Sequence, residues 1–348
     1  TIIEKLIRKI MIIALVKQMK KTFAIVSSIL IVTALLLGCV GQDKDSTKKM
    51  TELKIGYQPS THQIAEMVAM EKGWWLNDLK KFGIEKVTDY EFPSGPPEMQ
   101  AMLGGDIDIA YVGATPPIPA IDQGLDAKIV AAVQTQGSGI VIRPESNYTG
   151  PSYLVGKKIG TFPPGSIQDM VLKKWLTDNG IDVSKVDIKP MTPGDATTAL
   201  AAKQLDAVFL PEPSPAFLEI SGNGKSVVAS GEMWPGHACC VLLVNGKLIR
   251  ENPELVKEII RIHIKATEFI EENPDESAEI ASKKLGLSKE SILYSIKNSD
   301  TTFIHDPNKI VEYIEAYGIE HYNLKYTKKL LTAKDLIDTK LYNEVIKK

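Results

Sequence analysis

An α/β fold in two lobes, each a mixed, mostly parallel sheet flanked by helices and followed by a helical C-terminal region, is predicted by three observations. Residues 53–133 alternate short apolar strands with helices across turns rich in Gly, Pro and Ser. The same alternation returns over residues 158–230, and beyond Val244 the apolar spacing changes to that of amphipathic helices.

In the first run, Leu53-Lys-Ile-Gly-Tyr57 alternates at period two. Ser60-Thr-His-Gln63 has capping-box spacing, and Ile64, Met67, Val68 and Glu71 trace a helix that Gly73 ends. Residues 87–92 form the next strand. Pro93-Ser-Gly-Pro-Pro97 opens a helix with prolines in its first turn, where a missing N–H costs little, and Gly104-Gly105 closes it. Strands at 106–112 and 127–134 complete this run. In the second, strands fall near 158–161, 186–189, 205–210 and 226–229, and Thr192-Pro-Gly-Asp195 opens a helix.

The two runs echo each other. Gly105-Asp-Ile-Asp108 and Lys203-Gln-Leu-Asp206 each place an aspartate at the start of a strand that ends in a proline-marked turn. Duplication and ordinary α/β punctuation both account for this. A return strand at 239–244 and helices at 253–273, 275–285 and from Ser288 follow, a tail expected to cover one lobe. The expected division is a leader at 1–38, a tether at 39–50, lobe 1 at 51–139 plus 236–348, and an inserted lobe 2 at 140–235. Crossovers are expected near 139–143 and 234–241.

The chain has 348 residues, is 44% hydrophobic and 24% charged, and carries a formal charge of −2, which excludes disordered and disulfide-stapled classes. The charge is uneven: six bases and one acid precede Cys39, so residues 39–348 sum to −7. With four arginines in all, the chain has no phosphate-tracking stripe and nucleic-acid partners are not expected.

Residues 22–42 carry no charge, follow Met19-Lys20-Lys21 and end in Leu36-Leu37-Gly38-Cys39. This is the layout of a lipoprotein export signal with Cys39 as the lipidated residue; an uncleaved membrane anchor is the alternative. Either places the body outside the cytoplasm, tethered to the membrane. Residues 1–18 are read as an upstream extension or an amphipathic leader.

Ligands of open α/β sheets bind beyond the carboxyl ends of the strands. The turns to inspect are 58–62, 93–95, 113–116, 136–138, 163–168 and 211–213. Their Gly, Ser and Thr residues and helix N-termini can hold an anionic head group without arginine, although simple helix capping explains each turn singly. His62 and His237 are candidate donors or pH-sensitive groups, against plain packing roles. Glu212, between two prolines, either meets an amino group of a ligand or forms a hinge salt bridge. Adjacent cysteines in a strand point to opposite faces, so Cys239 and Cys240 are read as buried small hydrophobes. The sharper reading, a metal or redox site with His237, lacks a second cluster at ligand spacing. No cofactor or metal is expected, and no G-x-S-x-G, zinc or phosphate-loop signature supports chemistry.

The stretch from Glu91-Phe-Pro-Ser-Gly-Pro-Pro-Glu through Ala110-Tyr-Val-Gly-Ala-Thr-Pro-Pro-Ile118, with Leu53 to Gln58 before it and Pro163-Pro-Gly-Ser166 and Leu210-Pro-Glu-Pro213 in the second lobe, resembles the solute-binding proteins of ABC importers, in the family that takes up aliphatic sulfonates, taurine and nitrate. The resemblance spans residues 53–244 and, more loosely, the tail. It implies the two-lobed periplasmic-binding-protein fold, an exported monomer, a permease with its ATPase as partners, and a small anionic or zwitterionic solute held between the lobes. Carried over, it places ligand contacts at Gln58, Ser60, Ser94, Gly95, Gly113, Ala114, Thr115, Gly165, Ser166 and Glu212; Gln136, His62 and His237 complete the candidate set from the turns. The family's last motif has an aromatic before Asp-Pro, where this chain has Leu210-Pro211 before Glu212-Pro213. His62 and Gly236-His-Ala-Cys-Cys240 are further departures, and they bear on which solute is bound. A lyase-type enzyme on the same fold and a sensor ectodomain are the other readings.

Overall fold

The computed structural model describes residues 50–347. The expected leader, Cys39 and all but the end of the tether lie outside them.

The first lobe is built on a six-stranded sheet. Its strands are β1 (Glu52–Tyr57), β2 (Lys86–Glu91), β3 (Ile109–Gly113), β4 (Ala127–Thr135), β10 (Ala238–Asn245) and β11 (Thr302–Phe303), in the order β11-β4-β10-β3-β1-β2. The second lobe holds β5 (Ser138–Ile142), β6 (Lys158–Thr161), β7 (Asp187–Pro190), β8 (Ala207–Pro211) and β9 (Lys225–Ala229), in the order β7-β6-β8-β5-β9. Both sheets are mixed as expected, with β1, β2, β3 and β4 sharing one direction in the first and β6, β7, β8 and β9 sharing one in the second. β1 pairs in parallel with β2 and β3, and β6 with β7 and β8, while β10, β11, β5 and β9 run antiparallel to their neighbours. Strands that return from the other lobe, or from the tail, enter in the opposite sense.

The helices follow the punctuation closely. A 3-10 turn at Thr61–Gln63 leads into α1 (Ile64–Glu71), where Ser60 makes no side-chain cap, so the expected capping box is absent. α2 (Trp74–Leu79) follows. α3 (Gly95–Gly104) carries its prolines in the first turn and ends on Gly105 in the left-handed region; α4 is Pro117–Asp122. In the second lobe come α5 (Ile167–Asp178), capped by Ser166, then α6 (Pro193–Ala201), capped by Thr192, then α7 (Ser214–Ile220) and α8 (Ser230–Met233). The tail supplies α9 (Gly246–Glu251), α10 (Pro253–Glu272), α11 (Pro274–Leu285), α12 (Lys289–Asn298) capped by Ser288, α13 (Val311–Asn323), α14 (Ala333–Leu336) and α15 (Lys340–Ile346). α10 packs on α1 and α2, but α12 packs on α7, so the tail reaches both lobes rather than one.

The echoed aspartates do one job twice. Asp108 accepts the Lys54 amide at 2.8 Å and Asp206 accepts the Lys158 amide at 2.9 Å, each fixing the start of a parallel pair in its lobe.

The chain passes between sheets at Gln136-Gly137, slightly earlier than expected, and again over 234–237. Gly137 is left-handed (φ 77°), and Asp300 from the tail accepts both its amide (2.8 Å) and that of Gly231 beside the second crossover (2.6 Å). Gln136 bridges the crossovers further through its side chain, with Oε1 taking the Gly236 amide at 2.8 Å and Nε2 donating to the Asp300 carbonyl at 2.7 Å.

Candidate functional site

The strand ends converge on a cleft between the sheets. Its small cavity, about 10 Å³, is lined by Gln58, Ser60, His62, Gly95, Gly113 and Cys240 from the first lobe and its return strand, and by Phe162, Ser166, Gln168 and Pro211 from the second. That volume admits about one water-sized guest. The lobes are drawn together here: the Thr115 hydroxyl donates to the Gly165 carbonyl at 3.0 Å, and the Thr61 amide donates to the Glu212 carbonyl at 3.2 Å. Further out, the Tyr326 hydroxyl donates to Asp169 at 3.0 Å, while Lys173 pairs with the same carboxylate at 2.7 Å.

Six of the expected contacts line the cavity: Gln58, Ser60, His62, Gly95, Gly113 and Ser166. Gly95 is required by crowding, since a Cβ there would lie 2.3 Å from Pro116. The others act around it. The Ala114 amide donates to the Cys239 carbonyl, Thr115 and Gly165 form the interlobe bond, Ser94 is buried at the start of α3, and Gln136 belongs to the crossover clamp. His237 is buried at the second crossover, with Nδ1 2.8 Å from the Trp234 carbonyl, and burial pushes its pKa down. Glu212 faces a second, larger cavity of about 280 Å³ with Glu219, Glu232 and Asp300. Burial lifts its pKa to about 7 against the lowering effect of the Ala216 amide. We place the site in the smaller cavity because the strand ends and buried polar groups of both lobes meet there.

Helix N-termini contribute less to an anion site than the turns suggest. Prolines at positions 96 and 97 of α3, and at 116 and 117 around the start of α4, remove the amides those termini would offer. Gly165 and Ser166 at the start of α5 keep theirs but spend them inside the lobe, on Asp169 at 3.3 Å and on the Pro163 carbonyl at 3.1 Å. Gln58 spends its amide on Glu98 at 2.7 Å, and that carboxyl, driven well upward by burial, keeps one oxygen without a partner.

The structure corrects the reading of the cysteine pair. The register of β10 against β4 shifts on both sides of Cys240, and in such a bulge two consecutive residues oppose one on the neighbouring strand, so their side chains no longer diverge. Both sulfurs are buried and both approach His62 Nδ1, Cys239 at 3.5 Å and Cys240 at 4.0 Å. His62, rather than His237, thus completes the group. His62 Nε2 lies 2.7 Å from the Gly137 carbonyl, while Gln63 and Gln168 donate amide hydrogens to Cys240 and Cys239 at 3.6 and 3.8 Å. Burial opposes charge on His62, but the Cys239 sulfur, the Gly137 carbonyl and Glu212 outweigh it and raise its pKa. Burial alone would raise the Cys239 thiol, yet hydrogen bonding from Cys240 and the imidazole hold it well below the ordinary range. Cys240, which donates to that sulfur and is itself buried, lies well above it. Phe162, Gln168, Pro211 and Cys240 were missing from the expected set. Gln168 sits in an inspected turn, whereas no residue pattern announces the bulge that turns Cys240 inward.

Comparisons with known proteins bear on the family and the fold. Over 317 residues the chain is 28% identical to a protein of Bacillus subtilis (strain 168) described as an aliphatic sulfonates-binding protein, covering 90% of this chain and 93% of that one. It is 24% identical over 280 residues to an ABC transporter periplasmic binding protein of Brachyspira hyodysenteriae, covering 75% and 78%. The alkanesulfonate-binding protein SsuA from Xanthomonas axonopodis pv. citri, solved bound to MOPS, superposes with a TM-score of 0.73 at 20% identity, covering 83% of this chain and 99% of that one. Residues 46–284 match the model of the NMT1-like family. The chain belongs to the NMT1-like family and has the two-lobed fold of the solute-binding proteins.

Proposed function

We propose that this protein is the extracytoplasmic solute-binding component of an ABC importer, acting without catalysis as a monomer tethered to the membrane through lipid on Cys39. It captures a small anionic or zwitterionic solute of the sulfonate, taurine or nitrate class and hands it to a permease driven by its ATPase. One observation carries the reading: a cavity at the strand ends, closed here to about the size of one water, is shared by both lobes and sealed by hydrogen bonds between them, so that the space for a solute opens as the lobes part. Its relatives support the same role. Gln58, Ser60, Ser166 and Gln168 supply uncharged polar contacts, and rotation of the lobes about the crossovers admits and releases the solute.

The test is a ligand panel of alkanesulfonates, taurine, nitrate, amines and heterocycles, read by melting temperature and by scattering radius. At least one anionic or zwitterionic member is expected to raise the melting temperature by several degrees and shrink the radius. A panel with no response overturns the reading. The mass of the N-terminal peptide reads lipid attachment at Cys39.

A further inference from the structure

We propose that His62, Cys239 and Cys240 form a binding site for one thiophilic d10 metal ion, zinc(II) or copper(I), at the base of the cleft. The ring nitrogen and the two sulfurs all lie within 4.8 Å of one another, with nitrogen–sulfur separations of 3.5 and 4.0 Å. With metal–sulfur bonds of about 2.3 Å and metal–nitrogen bonds of about 2.0 Å, tetrahedral and trigonal centres space such ligands at roughly 3.5–3.8 Å. Cys239 Sγ already stands at that spacing from the ring nitrogen, and Cys240 Sγ lies a few tenths of an ångström beyond it, a gap that side-chain rotation closes without moving the backbone.

The surroundings fit ligands rather than packing residues. His62 Nε2 donates to the Gly137 carbonyl at 2.7 Å, which leaves the Nδ1 lone pair facing the sulfurs, as a ligating histidine is oriented by a partner on its other nitrogen. Each sulfur receives a side-chain amide, from Gln63 and from Gln168. Cysteines that merely fill space need neither amide donors nor a ring nitrogen aimed at them. A fourth coordination position faces the cavity, because His62 and Cys240 both line it and it has room for one small donor. Among the described residues no lysine or arginine lines that cavity, so the ion would add a fixed positive charge there. On loading, each thiol that carries a proton releases it to solvent as its sulfur–metal bond forms.

The ion shares the cavity of the proposed solute but does not rest on the transport reading. Metal stoichiometry and solute-induced melting shifts are separate readouts, and either can fail alone. The full chain, purified in detergent with thiols kept reduced and free of chelator, is titrated with zinc(II) and, in a separate anaerobic arm, with copper(I). Bound metal is counted by elemental mass spectrometry after gel filtration, and cobalt(II) serves as a spectroscopic stand-in. One ion per chain is expected in at least one arm, with an intense thiolate-to-cobalt charge-transfer band. Binding is expected to weaken at least about 100-fold in C239S and C240S, and about tenfold in Q168A, the range for loss of a residue that supports a ligand. Cys39→Ser should keep the ion. If the cysteine variants do not fold, His62→Gln carries the same test. Absence of stoichiometric metal in both arms, or equal retention in the C239S/C240S double variant, overturns the proposal.

Discussion

In the first lobe and the tail packed on it, Glu66, Glu98, His263 and His321 are sealed from water, whereas the second lobe's own core of Val141, Ala196, Leu200, Leu205, Val208, Leu210 and Leu218 is apolar throughout. The buried charged residues of the second lobe, Asp169 and Glu212, sit at helix starts on the cleft side. The contrast separates two tasks. The first lobe carries His62, Cys239 and Cys240, together with buried carboxyls held neutral by desolvation. The second approaches with hydroxyls and amides such as Ser166 and Gln168, and with the Glu212 carboxyl, whose field reaches His62.

The largest expected effect comes from Gly137, where the lobes meet. A Cβ at this left-handed position would lie 2.2 Å from Thr301 Oγ1 and 2.7 Å from His62 Nε2. Gly137→Ala should cost on the order of 2–4 kcal/mol from backbone strain and displaced neighbours, and should abolish response to the solute panel. Thermal melts with and without solute check both.

The next expected effect belongs to the first lobe alone. Burial, reinforced by Asp89, pushes Glu66 up to about 8, and neither carboxyl oxygen has a partner. The folded chain therefore keeps a proton that the unfolded chain releases near 4.5, so this contribution to stability is full below that pH and is lost as pH rises through about 8. Between pH 6 and pH 9 the loss should be about 2–3 kcal/mol in denaturant melts, and Glu66→Gln should remove it. His263, held down to about 4 by burial, acts in the reverse sense: its contribution is present above 6.5 and disappears as pH falls toward 4.

The smallest effects compare one cleft residue from each lobe. Gln58→Ala leaves the buried Glu98 carboxyl with no partner and should cost about 1–3 kcal/mol. Ser166→Ala removes the cap of α5 and should cost about 1 kcal/mol. Each should weaken solute binding by about tenfold in calorimetric titration. Equal stability losses would erase the contrast between the lobes.

Much of this organisation is legible in the sequence, because local rules govern it. Gly105 and Thr192 stop and start their helices as expected, Ser288 caps α12, and the aspartates of the two runs take equivalent bonds. What escaped was non-local. Strand direction depends on which lobe a strand returns from, which no window of residues records. His62 and Cys239 are 177 positions apart, and a register shift alone brings the second sulfur onto the same side. The prolines of α3 and α4 read correctly as helix starts, yet their consequence for anion binding follows only once those starts are seen to border the cleft.

The Asp300 clamp has a mechanical consequence. One carboxylate grips the amides of Gly137 and Gly231, and the Gly137 carbonyl in turn takes the His62 ring, so the pivot and the ligand group share a single residue. In any rotation, displacement grows with distance from the axis. If the lobes part about these crossovers as proposed, the outer rims, where Tyr326 meets Asp169, travel furthest, while the imidazole and thiols beside the axis move least. Such an opening would unlatch the mouth ahead of the grip, with leverage rather than the strength of any one bond setting the order.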